Sequence, residues 1–356
     1  MRIGLAQEGE TRPGISTEQR YHEMIEEVQV ADRVGFSVYG NSEQHFSPPR
    51  FNVAAPEVFC AALATQTERI HLRTMCTVLL QWNHPMLVAE RLATLDILSH
   101  GRAEAGFARS NNLGTLEAFG VPASETAQQF DESLALLIKI LTEEEAEGDG
   151  PLWQMPPRTL VPGVVQKPHP PLSMAASSLT SCRKAGRLGI GAMLFEGYFG
   201  FEYFEKCVDE YRAGLAEHEP AASQLNESMG IVAIGGFCAE TREEAIAVAG
   251  EQALGYFAFM GELYGRLAST PGYEYLVEVE RVVENIGKID YLLKETPSVI
   301  IGTPDDFIAR FQELSERGVD EVVIRVDGLP TEKIKSCLEL IGREVIPRFD
   351  PLVATA

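Results

Sequence analysis

The stretch Ile70–Asn112 reads IHLRTMCTVLLQWNHPMLVAERLATLDILSHGRAEAGFARSNN. A β-rich run, Ile70–Leu80, ends at a polar turn containing Asn83, His84 and Pro85. A helical spacing of apolar residues follows at Val88, Leu92, Leu95 and Leu98, closed by Ser99–Gly101. A second short strand, Ala103–Ala108, then runs into Arg109. The unit is strand, helix, strand, with an arginine at the carboxyl end of the second strand. In a parallel barrel that end carries the chemistry. The planar guanidinium fork suits a phosphate there; pairing with a local carboxylate is the plain alternative.

The same alternation runs outward in both directions. Strands are expected near Ile3–Gln7, Ser37–Asn41, Leu72–Leu80, Ala103–Ala108, Leu172–Ala176, Ala192–Phe195, Met229–Gly235 and Glu321–Val326. Helical patterns lie at Thr17–Val34, Pro56–Thr67, Pro85–Leu98, Ser124–Leu141, Thr180–Leu188, Gly200–Glu217, Arg242–Leu254 and Pro304–Arg317. Ser124, Thr241 and Thr303 are placed as helix caps. Eight strand–helix repeats predict an α/β fold, a (β/α)8 TIM barrel closed on itself, with a doubly wound open sheet as the alternative. The expected organisation is one domain over residues 1–356, with insertions at about 143–171 and 256–297. The first is acidic and then rich in Gly and Pro, as a loop would be. The second is long and aromatic, and is either a lid over the barrel mouth or a plain packing insertion.

Bulk properties narrow the class. Thirty Lys and Arg against 52 Asp and Glu give a net charge of -22. Such a surface repels nucleic acid and anionic membranes, so any phosphate must be held by a local basic cluster. No run approaches the ~20 apolar residues of a membrane helix, and the N-terminus lacks a signal-peptide core. The six cysteines (60, 76, 182, 207, 238 and 337) show no CxxC pair. That pattern fits a reducing, cytoplasmic setting with neither a disulfide framework nor a zinc site. The histidines show no H-x-H or H-E-x-x-H spacing, so no metal centre is expected, and a metal-dependent hydrolase is disfavoured.

Two further groups of residues invite chemistry. His45, just past the second strand, is the side-chain type suited to proton transfer near neutral pH, and Glu43 is placed to orient it; a loop histidine with ordinary hydrogen bonds is the alternative. Ser177, Ser178 and Ser181 lie between a strand and a helix starting near Thr180. A helix N-terminus offers unpaired N–H groups and a positive dipole end to a phosphate, although serines there also serve as simple caps. GRLGIG (186–191) falls between a helix and a strand, which is the wrong context for a dinucleotide fingerprint.

Several segments in order along the chain resemble the bacterial luciferase-like flavin monooxygenases. They are SEQHF (42–46), NHP (83–85), LD with SHGR (95–102), GFARS (106–110), AFGV (118–121), AASSLTSCRKAGRLG (175–189) and IGTPDDFIARFQELSERGVDEVVIRV (301–326). The resemblance implies reduced FMN (FMNH2), delivered by a separate flavin reductase, and O2 activated as a flavin C4a-(hydro)peroxide. The expected reaction is a Baeyer–Villiger-type oxidation or hydroxylation of a small, hydrophobic organic substrate, in a homodimer. A hydride-transferring enzyme using F420 on the same barrel, or a non-catalytic flavin-binding protein, would share these segments. The resemblance places Cys76 and Thr77 at the flavin ring, joined by a cis peptide, and makes Arg109 with Ser177, Ser178 and Ser181 the phosphate site. It gives His45 and Glu43 the proton handling. Three positions depart from the family pattern. Gln44 stands where many relatives have a first histidine, which argues against a light-emitting enzyme. Ala108 stands where some have a reactive cysteine. The loop VPASETAQQ (121–129) lacks a further arginine, so weaker cofactor retention, or help from Gln128, is expected.

Overall fold

The computed structural model describes residues 1–218, 224–285 and 288–349. Eight parallel strands close into a barrel: β1 (Arg2–Ala6), β2 (Val38–Ser42), β3 (His71–Val78), β4 (Ala103–Ala108), β5 (Leu172–Ala175), β6 (Gly191–Leu194), β7 (Met229–Ala233) and β8 (Glu321–Arg325). Each pairs with its neighbour in the chain, and β8 closes onto β1 through Arg2 opposite Glu321 and Ala6 opposite Arg325. All eight coincide with an expected strand to within two residues at each end. Strands covered on the outside by helices and on the inside by the barrel core read as near-continuous apolar runs, as in Glu321–Arg325, which is buried throughout.

The helices, in chain order, are α1 (Thr17–Val34), α2 (Pro56–Ala64), α3 (Pro85–Leu98), α4 (Leu113–Ala118), α5 (Thr126–Thr142), α6 (Leu179–Leu188), α7 (Phe201–Ala216), α8 (Arg242–Leu267), α9 (Val279–Val283), α10 (Ile289–Glu295), α11 (Pro304–Glu316) and α12 (Thr331–Leu340). Thr241 caps α8 by accepting from Glu244 N, and Thr303 forms a reciprocal capping box with Asp306. Ser124 does not cap α5: it lies inside a 3-10 turn, Ala123–Glu125, that feeds directly into the helix. His84 is the N-cap of α3, its Nδ1 accepting from Met86 N at 3.1 Å, and partial burial lowers its pKa.

The insertions are more ordered than their composition suggests. Residues 143–171 contain an antiparallel hairpin, Ala146–Asp149 with Gln154–Arg158. Trp153 anchors it, its Nε1 donating to Ser133 Oγ at 2.8 Å. Beyond the hairpin, Asp96 accepts from Val165 N and Gln166 N. Helix α8 does not stop at Leu254. Its buried side continues through Tyr256, Phe257, Met260, Tyr264 and Leu267, because the helical apolar period persists past Gly255. Gly235–Cys238 and Val299–Gly302 form a small parallel sheet outside the barrel, a pairing that neither segment announces alone.

Barrel β3 carries a bulge. Thr74 pairs with Ala105 but Thr77 with Phe107, so three residues of β3 span two of β4. The Met75 carbonyl is thrust at Gly106, where an added Cβ would come within 2.3 Å of it. The Cys76–Thr77 peptide is not cis, contrary to expectation; the cis peptides among the described residues are Pro48–Pro49, Val161–Pro162 and Lys167–Pro168. The bulge redirects this strand instead.

Candidate active site

A cavity of about 470 Å³ opens at the carboxyl ends of the barrel strands. Its wall takes residues from successive strand ends: Glu8, Ser42 to Gln44, Cys76, Ala108 and Arg109, Ser177 and Ser178, Phe195 and Glu196, and Ile234. Residues of the second insertion also line it, among them Tyr256, Met260, Tyr264, Tyr273 and Tyr275. The insertion therefore supplies part of the cavity wall.

One end is built for an anion. Ser178 and Ser181 form a capping box on α6: Ser178 Oγ accepts from Ser181 N, and Ser181 Oγ accepts from Ser178 N. The first-turn amides of Leu179 and Thr180 have no intrahelical acceptor, as at any helix start. Arg109 and Lys184 face the same cavity. Arg109 donates to the Gly272 carbonyl and lies over the Tyr273 ring, 4.2 Å from its centroid. Lys184 donates to Asp131. A half-exposed helix start with two cations and three hydroxyls has the donor set a phosphate monoester needs, so the residues fit the phosphate of FMN. Lys184 was not singled out in the sequence, although it lies three residues after Ser181 and so on the same side of α6. Gln128 is exposed and off the wall. Ala127, Phe130 and Asp131 take the inward face of α5, and Gln128 is rotated away from them.

The middle of the wall is formed by Cys76, Ala108 and the Glu43 hub. Burial pushes the Cys76 thiol up to about 12, so it stays protonated. Thr77 is buried but off the cavity wall, as strand alternation requires for the neighbour of Cys76. Glu43 accepts from Val78 N at 2.9 Å, Trp82 Nε1 at 2.9 Å and Asn83 Nδ2 at 3.0 Å. His45 Nε2 lies 2.9 Å from Glu43 Oε1. The His45 ring packs edge-on against Phe119, 5.1 Å between centroids, and not on the cavity wall; Gln44 takes that place. The expected Glu43–His45 contact thus exists, with Glu43 on the cavity wall and His45 off it.

The rest of the wall is acidic and aromatic, and Glu196 adjoins the serine cluster through Ser177. Glu8 accepts from Arg325 Nε at 2.8 Å; burial raises its pKa, and Arg325 pulls the other way. Glu196 is 1% exposed, and the Tyr264 hydroxyl donates to its Oε1 at 2.7 Å. Burial raises its pKa, opposed by the Ser177 and Tyr264 hydroxyls. Neither carboxylate was singled out in the sequence, yet Glu196 follows β6 by two residues. The positional rule that selects Arg109 would have selected it.

A family model described as luciferase-like monooxygenase matches residues 1–321. The chain belongs to that family. Its enzyme class is accordingly that of the flavin-dependent monooxygenases. A flavin-dependent trigonelline monooxygenase, oxygenase component, from Acinetobacter baylyi is 27% identical over 339 residues, covering 93% of this chain and 90% of the relative. An F420-dependent glucose-6-phosphate dehydrogenase from Beutenbergia cavernae is 24% identical, covering 90% and 91%. The crystal structure of the oxygenating constituent of 3,6-diketocamphane monooxygenase from Pseudomonas putida, in complex with FMN, superposes with a TM-score of 0.76 at 22% identity, over 98% of each chain. That likeness shows the barrel fold. No helix among the described residues is long and apolar enough to cross a membrane, and no group of metal-ligating side chains is present among them.

Proposed function

We propose that this protein is the oxygenase component of a two-component system, binding reduced FMN made by a separate flavin reductase and inserting one oxygen atom of O2 into a small organic substrate. The observation that carries this reading is the cavity's polarity. An anion-binding end made by Arg109, Lys184 and the start of α6 leads to a floor of Cys76 and Ala108. A phosphate monoester on a flat ring system matches that sequence of surfaces. The named relatives support it: one is a flavin-dependent oxygenase component, and the matched barrel was solved with FMN.

In this reading Arg109 and Lys184 supply charge, and Ser177, Ser178, Ser181 and the Leu179 and Thr180 amides supply directed donors. Bound reduced FMN would supply the activation of O2. Cys76 and Ala108 give the ring an inert surface, since a protonated thiol and a methyl group add no nucleophile. Tyr264, Tyr273 and Tyr275 exclude water from above. Glu43, fixed by Val78, Trp82 and Asn83, holds the His45 imidazole, which carries protons to and from the mouth. The products of Baeyer–Villiger oxidation and of hydroxylation are both open to such a site.

Titrating the protein with FMN, reduced FMN and F420, and following O2 uptake with reduced FMN, tests the reading. Retention of reduced FMN with O2 consumption above that of free reduced flavin is expected. Tight F420 binding without O2 uptake would replace it with hydride transfer.

A further inference from the structure

Four carboxylates of the cavity wall have an identified partner. Glu8 is answered by Arg325, Asp131 by Lys184, Glu43 by Val78, Trp82 and Asn83, and Glu274 by the Gly272 amide. Glu196 is answered by the Tyr264 and Ser177 hydroxyls, yet one of its oxygens stays open. It is buried, no Lys, Arg or His among the described residues pairs with it, and its Oε2 has no hydrogen-bond partner among them. Tyr198, 2% exposed and on the same wall, has a hydroxyl facing Tyr264 with no partner at full hydrogen-bond geometry among the described residues. Tyr256, Tyr264 and Tyr275 line the same cavity, Tyr275 also lying against Arg109.

A buried carboxylate without a cation is costly, and so is a buried hydroxyl without a partner. Tyrosine faces carry negative potential and stabilise a cation placed over them. Within this chain the pattern is already used once: Arg325 lies 4.2 Å from the Tyr256 ring centroid while pairing with Glu8 and Glu10. That arrangement is closed by its own guanidinium. The Glu196 arrangement has the carboxylate and the rings but no cation. We propose that Glu196, with Tyr198, Tyr264 and Tyr275, binds an organic monocation whose charged nitrogen carries no N–H, either a quaternary ammonium or an N-alkylated heteroaromatic ring. A single free carboxylate oxygen cannot satisfy the three donors of a primary ammonium. A quaternary nitrogen needs none satisfied, and its charge is spread over surface that the rings can cover. The net charge of -22 draws cations toward the mouth. This inference rests on the flavin reading only for what is done to the molecule, not for its binding.

The test is calorimetry on the full chain with three matched probes: meta-hydroxyphenyltrimethylammonium, its neutral isostere meta-tert-butylphenol, and meta-hydroxybenzylammonium. The wild type is expected to bind the quaternary probe at least about 10-fold more tightly than either of the others. Glu196→Gln is expected to lose about 10-fold or more for the quaternary probe, and less than about 2-fold for the phenol. Wild-type protein that does not discriminate, a stronger grip on the primary ammonium, or a Gln variant that keeps its affinity for the quaternary probe would each overturn the proposal. The wild-type comparison needs no variant, so misfolding of the Gln protein leaves it decisive. FMN titration of the same samples distinguishes the two failures. Cation selection without FMN retention condemns the flavin reading alone, and FMN retention without cation selection condemns this inference alone.

Discussion

The guanidinium of Arg109 lies 4.2 Å from the centroid of the Tyr273 ring and donates to the carbonyl of Gly272. Barrel strand β4 is thereby tied to the second insertion through the group best suited to a phosphate. A phosphate arriving at α6 competes with a neutral carbonyl for that guanidinium and, being charged, makes the stronger bond. Arg109→Ala is expected to weaken FMN binding by about 1.5–3 kcal/mol, the range for a charged hydrogen bond. Fluorescence titration of oxidised FMN reads it directly, and an unchanged affinity would move the phosphate elsewhere.

His45 and Glu43 lead to a different expectation. His45, 2.9 Å from Glu43, lies off the cavity wall, so replacing its imidazole leaves the proposed phosphate end intact. His45→Ala is expected to retain FMN and to slow product formation by ~10²–10⁴. Turnover equal to that of the wild type would remove His45 from the proton path.

The barrel was legible because each strand–helix unit states its period locally, as Ile70–Arg109 does. Arg109, Ser177, Ser178, Ser181 and Glu43 were legible because each closely follows a strand and so reaches the mouth, whereas Cys76, inside β3, came only from the family resemblance. What stayed hidden depends on partners distant in the chain. The Gly235–Cys238 and Val299–Gly302 sheet joins two short apolar runs some sixty residues apart, and neither alternates. The β3 bulge follows from the fit of Met75 against Gly106, a three-dimensional contact with no signature in either segment. The displacement of His45 from the wall depends on Phe119, seventy-odd residues later. GRLGIG proves to be packing and capping: Gly189 is a left-handed C-cap, and Gly186 faces the backbone of α7.

The amino ends of the strands bear on stability rather than on the cofactor. Register places Arg73 beside Glu104 and Arg2 beside Glu321, and the four charges interlock at the closed end of the barrel. Burial alone would raise the pKa of Glu104, but the Arg73 and Arg2 guanidiniums overcome it and hold the carboxyl well below its ordinary value. A group depressed in the folded state contributes stability above its unfolded pKa of about 4.3, and that stability is lost as the pH falls below it. Resistance to urea should therefore fall steeply below about pH 4.5 in the wild type. Glu104→Gln is expected to cost about 3–5 kcal/mol near neutrality, because it leaves Arg73 underpaired, and to flatten that acid limb. An acid limb as steep in the variant as in the wild type would refute the assignment.

Gly186 links packing to the cofactor end. A Cβ there would come within 2.3 Å of the Tyr211 carbonyl and 2.6 Å of the Leu215 amide nitrogen, both backbone atoms of α7 that cannot swing aside. Gly186→Ala must therefore push α6 away from α7, at a cost of about 1–3 kcal/mol in stability. Because α6 also carries the Ser178–Ser181 cap and Lys184, its displacement moves three proposed phosphate donors together relative to Arg109. FMN affinity should fall along with the urea midpoint, although the residue touches nothing in the cavity. Gly163→Ala is the control, since a Cβ there meets no atom within 4 Å and the backbone is not left-handed. If Gly186→Ala unfolds like the wild type and binds FMN as tightly, the close approach of α6 and α7 does not set the geometry of the phosphate end.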